Sequence, residues 1–204
     1  MTTAPRTPRR AVFLDRDGVL NEAVVRDGLP FPPRSSDELV VFPGVAEACQ
    51  GLREHGYVLV VVTNQPDVAR GLQSASGVAA INALLRQSIN VDAVYVCHHD
   101  NDDGCRCRKP KPGMLRAAAR DLNLDLDQSF MVGDRWSDIA AGQGAGCRTV
   151  YIDFGYQEQG ALSPDHVVSN PVEALEWILM TAPLEEGGSV RSTSLRHQDL
   201  RRRG

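Results

Sequence analysis

Ala11-Val12-Phe13-Leu14-Asp15-Arg16-Asp17-Gly18-Val19-Leu20-Asn21 is the stretch that decides the fold. Its four leading apolar residues, with strand-favouring Val12 and Phe13 among them, predict a short strand buried on both faces. Two carboxylates and a glycine follow at once. Side chains alternate along an extended strand, so Asp15 and Asp17 share one side only if the strand runs through them. If the backbone turns at Asp17-Gly18, Asp15 still stands at the carboxyl end of a strand, where open α/β sheets bind ligands. Alone, an Asp-Gly pair is an ordinary turn; the residues downstream raise it above that.

Tyr57 to Val62 is a near-continuous β-branched run ending at Thr63-Asn64-Gln65. Val91 to Cys97 and Ser129 to Val132 are further strand candidates, the latter ending at Gly133-Asp134; Thr149 to Ile152 and a short 166–168 segment complete the set. Between them lie helical patterns: one opened by Pro43-Gly44 and stopped by Gly56, then 75–89 (Val78, Ile81, Leu84, Leu85, Ile89 on one face), 113–121 and 136–143. Asn170 is placed to cap a last helix with Pro171 at its first position. Strands alternating with helices predict a doubly wound, Rossmann-like parallel α/β sheet. Residues 1–10 read as a flexible arm, 11–180 as the domain, 22–41 as a flap without helical period, and 181–204 as a disordered tail rich in Gly, Ser and Arg.

Composition narrows the function. A net charge of -4 supplies no broad cationic face, so nucleic acid is not an expected partner. No run nears the ~18 apolar residues of a membrane span, and the first ten residues lack the apolar core of a secretory signal. A cytoplasmic monomer acting on a small molecule is the expectation. Three of the five cysteines crowd into residues 97–107 beside His98 and His99, which in a reducing compartment suggests a metal before disulfides. Cys97, Cys105, Cys107 and one histidine would make a structural Cys₃His zinc site; free thiols or a redox pair are the blander reading.

The parallel sheet brings Asp15, Asp17, Thr63, Asn64 and Asp134 to one edge, with Lys109 available from a loop. Clustered carboxylates repel, and a hard divalent cation such as Mg²⁺ relieves this, with Asp15, Asp17 and Asp134 as its ligands. A carboxylate can attack phosphorus. Asp15 is then the nucleophile, and Asp17 the acid for the leaving alkoxide and base for the hydrolytic water. Asp138 orients the metal group, Thr63 hydrogen-bonds phosphoryl oxygens, and Lys109 meets charge developing in the transition state.

Asp15-x-Asp17-Gly18, Thr63-Asn64-Gln65, Arg108-Lys109-Pro110 and Gly133-Asp134-Arg135-x-x-Asp138, in this order, resemble the four motifs of the haloacid dehalogenase superfamily of phosphatases across about residues 11–155. The span from Asp15 to Thr63 leaves room for a flap and one helix, not a large cap domain. The chain is most similar to the capless branch holding heptose-bisphosphate and histidinol-phosphate phosphatases. Thr63-Asn64-Gln65-x-x-x-Ala69-Arg70-Gly71 and Lys111-Pro112-Gly113-Met114 lean to the former. The resemblance implies substrate contacts from Thr63, Asn64, Arg108, Lys109 and Arg135, Mg²⁺ at Asp134, and a Zn²⁺ loop in which His99 rather than His98 joins the cysteines. Arg26, Arg34, Arg108 and Lys111 are the cations expected around the pocket mouth, suiting a phosphorylated sugar with a second anionic group. Histidinol phosphate is the alternative substrate, with Asp37, Glu38, Asp100, Asp102 and Asp103 as acids for its amine. A phosphate-accepting receiver domain and an inactive zinc-stabilised binding module are the non-enzyme alternatives.

Overall fold

The computed structural model describes residues 7–161 and 163–181. Thirteen strands and helices are used below: β1 (Ala11–Leu14), β2 (Val24–Arg26), β3 (Leu29–Phe31), α1 (Val45–Glu54), β4 (Val58–Asn64), α2 (Ala75–Ile89), β5 (Ala93–Cys97), α3 (Gly113–Leu122), β6 (Phe130–Gly133), α4 (Trp136–Ala145), β7 (Arg148–Ile152), β8 (His166–Val168) and α5 (Pro171–Thr181). Six strands form one parallel sheet in the order β5-β4-β1-β6-β7-β8. From β1 the chain winds outward to β4 and β5, then returns to the other side for β6, β7 and β8. The crevice at the carboxyl end of β1 is thus the point where strand order reverses, the place where such sheets bind ligands.

Both faces of the sheet are buried, as continuous apolar strands require. Val12 and Leu14 of β1 with Leu59 and Val61 of β4 meet α1, α2 and α5 through Val45, Cys49, Leu52, Leu85 and Leu175. Phe13 with Val58, Val60 and Val62 faces the other way, onto Met114, Leu115 and Ala118 of α3 and Ala141 of α4. The period of two along β1 and β4 therefore sorts residues between two cores. Each fully buried Val, Leu or Phe contributes about 1.5–3 kcal/mol, so β1 is fixed from both sides and its carboxyl end is a firm platform.

Local signals account for the helix limits. Ser74 caps α2, its hydroxyl accepting from Gly77 N at 3.0 Å, and Asn90 ends it in the left-handed conformation (φ 59°). Asn170 Oδ1 accepts from Glu173 N at 3.0 Å, capping α5 as expected. Gly142 lets α4 close onto the sheet: a Cβ there would lie 2.7 Å from Met131 Cβ.

The expected flap is a two-stranded antiparallel hairpin, β2 with β3, followed by a single 3₁₀ turn at Ser36–Glu38. The described end of the expected flexible arm is anchored: Arg9 N donates to Asn123 O at 3.0 Å, and the Arg10 guanidinium lies 4.5 Å from the centre of the Tyr57 ring. Residues 1–6 and 182–204, covering the rest of the arm and nearly all of the expected tail, lie outside the described residues.

Candidate active site

Asp15 N donates to Val132 O at 3.0 Å, extending the β1–β6 ladder by one residue and placing the carboxyl group at the crevice floor. The chain then turns: Val19, Leu20 and Asn21 all direct their N–H groups to Arg16 O. Gly18 takes φ +87° in this turn, and a Cβ on it would sit 1.8 Å from Asp134 Oδ2. Only glycine fits the turn beside that carboxylate.

Asp15 Oδ1 accepts from Arg16 N at 2.7 Å and lies 2.9 Å from Lys109 Nζ. Lys109 is almost fully buried; its Nζ also lies 2.6 Å from Asp138 Oδ1 and donates to Val62 O at 2.7 Å. The ammonium thus sits between two carboxylates and a strand carbonyl. Asn64 holds the same residue by the backbone, donating from Nδ2 to Lys109 O at 3.0 Å and accepting from Lys109 N at 3.1 Å. Arg135 N donates to Asp138 Oδ2 at 3.0 Å, so the first turn of α4 fixes the opposite side of the site.

Asp15, Asp134 and Asp138 bring one carboxylate oxygen each within 4.8 Å of one another, all buried. Against three carboxylates stands the single ammonium of Lys109. Burial pushes Asp15 up to about 6, aided by the charges of Asp138 and Asp17 and opposed by Lys109. Burial likewise holds Asp134 well above the usual carboxylate range, with Asp15 and Asp138 adding to it. Burial disfavours the Lys109 ammonium, but Asp138 and Asp15 outweigh it and hold its pKa above the ordinary value. Both Asp134 oxygens are buried without a hydrogen bond of good geometry among the described residues, although the Tyr156 hydroxyl lies close enough to pull that carboxyl down against the burial. An all-oxygen set with surplus negative charge and two such acceptors fits a hard divalent cation.

The oxygen group differs from the expected one. The Asp17 carboxylate lies outside it, and Asp138, expected only to orient the group, is inside. Asp17 Oδ1 accepts from Arg16 Nε and Asn21 Nδ2, both at 3.0 Å, and Oδ2 accepts from Arg16 Nη2 at 3.0 Å and Gln65 Nε2 at 2.9 Å. Asp17 nevertheless lines the cavity with Asp15.

That cavity measures about 580 Å³ and is walled by Leu29, Pro30, Phe31 and Pro32 of the hairpin, by Pro66, Asp67 and Arg70 after β4, by Asn101 and Arg108, and by Asp134 to Asp138. Its cations are Lys109, Arg70, Arg108 and Arg135. Arg26, Arg34 and Lys111 are not among its lining residues. Arg26 closes the hairpin turn and stacks 5.6 Å from the Phe31 ring centre. Lys111 Nζ donates to Cys105 O at 2.6 Å, tying down the cysteine loop. Thr63 is buried beneath the floor, its Oγ1 accepting from Gln65 Nε2 at 2.9 Å. Arg135 meets a partner that sequence reading missed: its Nε lies 3.0 Å from Glu158 Oε1. Arg70 makes a two-point contact with Asp100, at 2.6 and 2.7 Å.

The Cys97, Cys105 and Cys107 sulfurs and His99 Nδ1 converge within 4.8 Å, so His99 and not His98 turns into the group. Sulfur separations are 3.8 Å (Cys97–Cys105) and 3.3 Å (Cys97–Cys107), with His99 Nδ1 3.5 and 3.3 Å from Cys97 and Cys107. A tetrahedron with Zn–S bonds of about 2.3 Å has S···S edges of about 3.8 Å, against about 2.05 Å for a disulfide. The donor set and spacing fit zinc. Burial pushes the Cys97 thiol up to about 12, so a bound cation is what would make it a thiolate. Arg108 is fastened to this loop, donating to Asn101 Oδ1 at 2.9 Å and His99 O at 3.2 Å.

A parallel sheet presenting a buried carboxylate nucleophile candidate, a lysine and an oxygen-only metal group at its switch point defines a hydrolase of the haloacid dehalogenase-like kind. The chain belongs to that family, whose profile matches residues 31–146. It is 38% identical over 176 residues to D-glycero-beta-D-manno-heptose-1,7-bisphosphate 7-phosphatase of Pasteurella multocida, covering 79% of this chain and 92% of the relative. D-glycero-D-manno-heptose-1,7-bisphosphate 7-phosphatase of Thermosynechococcus vestitus is 36% identical, covering 84% of this chain and 96% of its own. Among solved structures, D,D-heptose 1,7-bisphosphate phosphatase from B. bronchiseptica, complexed with magnesium and phosphate, superposes with a TM-score of 0.68 at 33% identity, covering 84% of this chain and 98% of that one. Among the described residues no helix is long and apolar enough to cross a membrane.

Proposed function

We propose that the chain is a Mg²⁺-dependent phosphatase of sugar phosphates, and that its substrate is D-glycero-D-manno-heptose 1,7-bisphosphate, cleaved at the primary 7-phosphate. The observation that carries this reading is the Asp15 carboxyl group at the tip of β1, with Lys109 on one oxygen and the buried Asp134 and Asp138 carboxylates beside it.

Arg16 N and Lys109 Nζ both engage Asp15 Oδ1, which leaves Oδ2 as the oxygen to meet phosphorus. Oδ2 attacks, the phosphorus–ester oxygen bond breaks, and Asp17, which enters this step protonated with one of its four N–H contacts released, gives its proton to the departing alkoxide. Asp17 then takes a proton from water, whose oxygen attacks the aspartyl phosphate; the bond from Asp15 to phosphorus breaks and phosphate leaves. Asp15, Asp134 and Asp138 would hold Mg²⁺, which supplies positive charge to the transferring phosphoryl oxygens. Lys109, held by Asn64, adds fixed positive charge without reorganisation. Thr63 and Gln65 support the floor from below. Cys97, His99, Cys105 and Cys107 would hold Zn²⁺ and thereby keep Arg108 at the mouth.

Arg70, Arg108 and Arg135 around one cavity suit a substrate with a second anion away from the reacting phosphorus. The acids expected to receive a histidinol amine (Asp37, Glu38, Asp100, Asp102 and Asp103) do not line it; Asp67 does, and it faces Arg70 at 3.4 Å. We also infer a cytoplasmic monomer: thiol ligands to zinc persist in a reducing compartment, and one chain carries the whole site.

The deciding comparison is kcat/KM in Mg²⁺ for the heptose bisphosphate, histidinol phosphate and fructose 1,6-bisphosphate. A heptose preference of tenfold, about 1.4 kcal/mol, supports the substrate; equal turnover of histidinol phosphate overturns it. Asp15→Asn should abolish turnover while the fold survives, and retention of a tenth of the activity would remove Asp15 as nucleophile.

A further inference from the structure

Arg16 is fully buried, one residue after the nucleophile candidate and one before the acid–base candidate. Its guanidinium has three anchors. Nε and Nη2 grip Asp17 at 3.0 Å each, and Nη1 donates to Asn82 Oδ1 at 3.0 Å. Asn82 belongs to α2 and is itself buried, on the face that carries Val78, Ile81 and Leu85 into the core. It does not line the cavity. On so apolar a face an amide gains nothing from packing; its polar oxygen is matched to one donor, Nη1 of Arg16.

The Asp17 carboxylate takes four N–H donors, two of them from Arg16. A guanidinium gripping a carboxylate at two points can still tilt as a plane, and its third anchor removes that freedom. The neighbouring amides offer ways to tilt, since Asn21 Oδ1 and Gln65 Oε1 are both buried without a partner. We propose that Asn82 is a positioning residue for the reaction: through Arg16 it sets the direction of the Asp17 carboxylate toward the leaving oxygen and the incoming water. The inference rests on the reading of Asp17 as the acid–base group.

The test compares Asn82→Leu, which keeps the apolar helix face but removes the acceptor, with Asn82→Asp, which restores an oxygen at the same reach. Fructose 1,6-bisphosphate and p-nitrophenyl phosphate serve as substrates in Mg²⁺, with the folded fraction measured in parallel. Asn82→Leu should lower kcat on the sugar ester at least tenfold with KM within twofold. It should still release a first equivalent of p-nitrophenolate rapidly, because that leaving group needs no proton, and then turn over slowly. Asn82→Asp should recover most of the lost kcat. A folded Asn82→Leu with wild-type kcat, or losses in both variants that merely track the unfolded fraction, overturns the inference. If Asn82→Leu does not fold, Asn82→Ala gives the same comparison. Asp17→Asn run alongside separates the two ideas: if it stays active, the acid–base reading fails; if it is inactive while Asn82→Leu is unimpaired, only the role of Asn82 fails.

Discussion

Lys109 Nζ lies 2.6 Å from Asp138 Oδ1, and each side chain is only 1% exposed. With Asp15 at 2.9 Å on its other side, this ammonium bridges two of the buried carboxylates of the crevice floor. Lys109→Met should therefore strand those acids as well as remove charge from the reacting centre. Breaking a buried pair of this kind costs about 3–5 kcal/mol, read from urea unfolding in the absence of Mg²⁺. Turnover in Mg²⁺ should fall about 10²–10³-fold. Unchanged stability would mean that the acids are not held ionised by Lys109.

Metal and proton compete for the same oxygens. Burial pushes the Asp15 carboxyl from its ordinary 3.8 up to about 6, and Asp134 is raised as well. A raised carboxyl group favours the fold fully below pH 3.8, and that contribution is lost as pH rises through about 6. The melting-temperature gain on adding Mg²⁺ to chelator-treated protein should therefore grow from about pH 5 to about pH 8, where the ligands must be ionised. A gain independent of pH would place the ion elsewhere.

Zinc should act on substrate binding before it acts on chemistry. Arg108 hangs on His99 O and Asn101 Oδ1 within the cysteine loop, whereas Lys109 is held by Asn64 and the strand β4 carbonyl of Val62. Protein purified without added zinc should carry about one equivalent per chain. Cys105→Ser should raise KM for a bisphosphate about tenfold with kcat within about threefold. A fall in kcat at constant KM would show instead that the loop supports Lys109.

Glu158, a half-buried residue, holds Arg135 at the cavity wall by a two-point contact. Glu158→Gln should leave the guanidinium free to swing toward solvent, raising KM for a bisphosphate about three- to tenfold. Turnover at saturation should hold, because Glu158 does not line the cavity. An unchanged KM would show that Arg135 stays in place without it.

Much of this site is legible along the chain because its parts sit at strand ends, and strands announce themselves by composition. Val58 to Asn64 and Phe130 to Gly133 deliver Asn64 and Asp134 to one edge as alternation of strands and helices requires. The clustering of Cys97, Cys105 and Cys107 is local, so it is readable too. What sequence reading missed are residues whose meaning depends on a distant partner. Asn82 interrupts an otherwise apolar helix face, a visible anomaly, but nothing near it names Arg16. Glu158 lies after β7, and only the fold brings it to Arg135. Arg26 misleads for the converse reason: Leu29 to Pro32 line the cavity, yet hairpin geometry turns the Arg26 side chain onto Phe31 while Arg70 lines the cavity.

The turn at Gly18 has a bearing on how this enzyme can change over generations. A single added methyl there would overlap Asp134, and Asp134 has no room to retreat without leaving its companions Asp15 and Asp138. Leu29 to Pro32 at the mouth are half-buried or exposed, and side chains there can change without disturbing the floor. New substrate preferences in this scaffold will be acquired at the rim, while the floor is inherited intact.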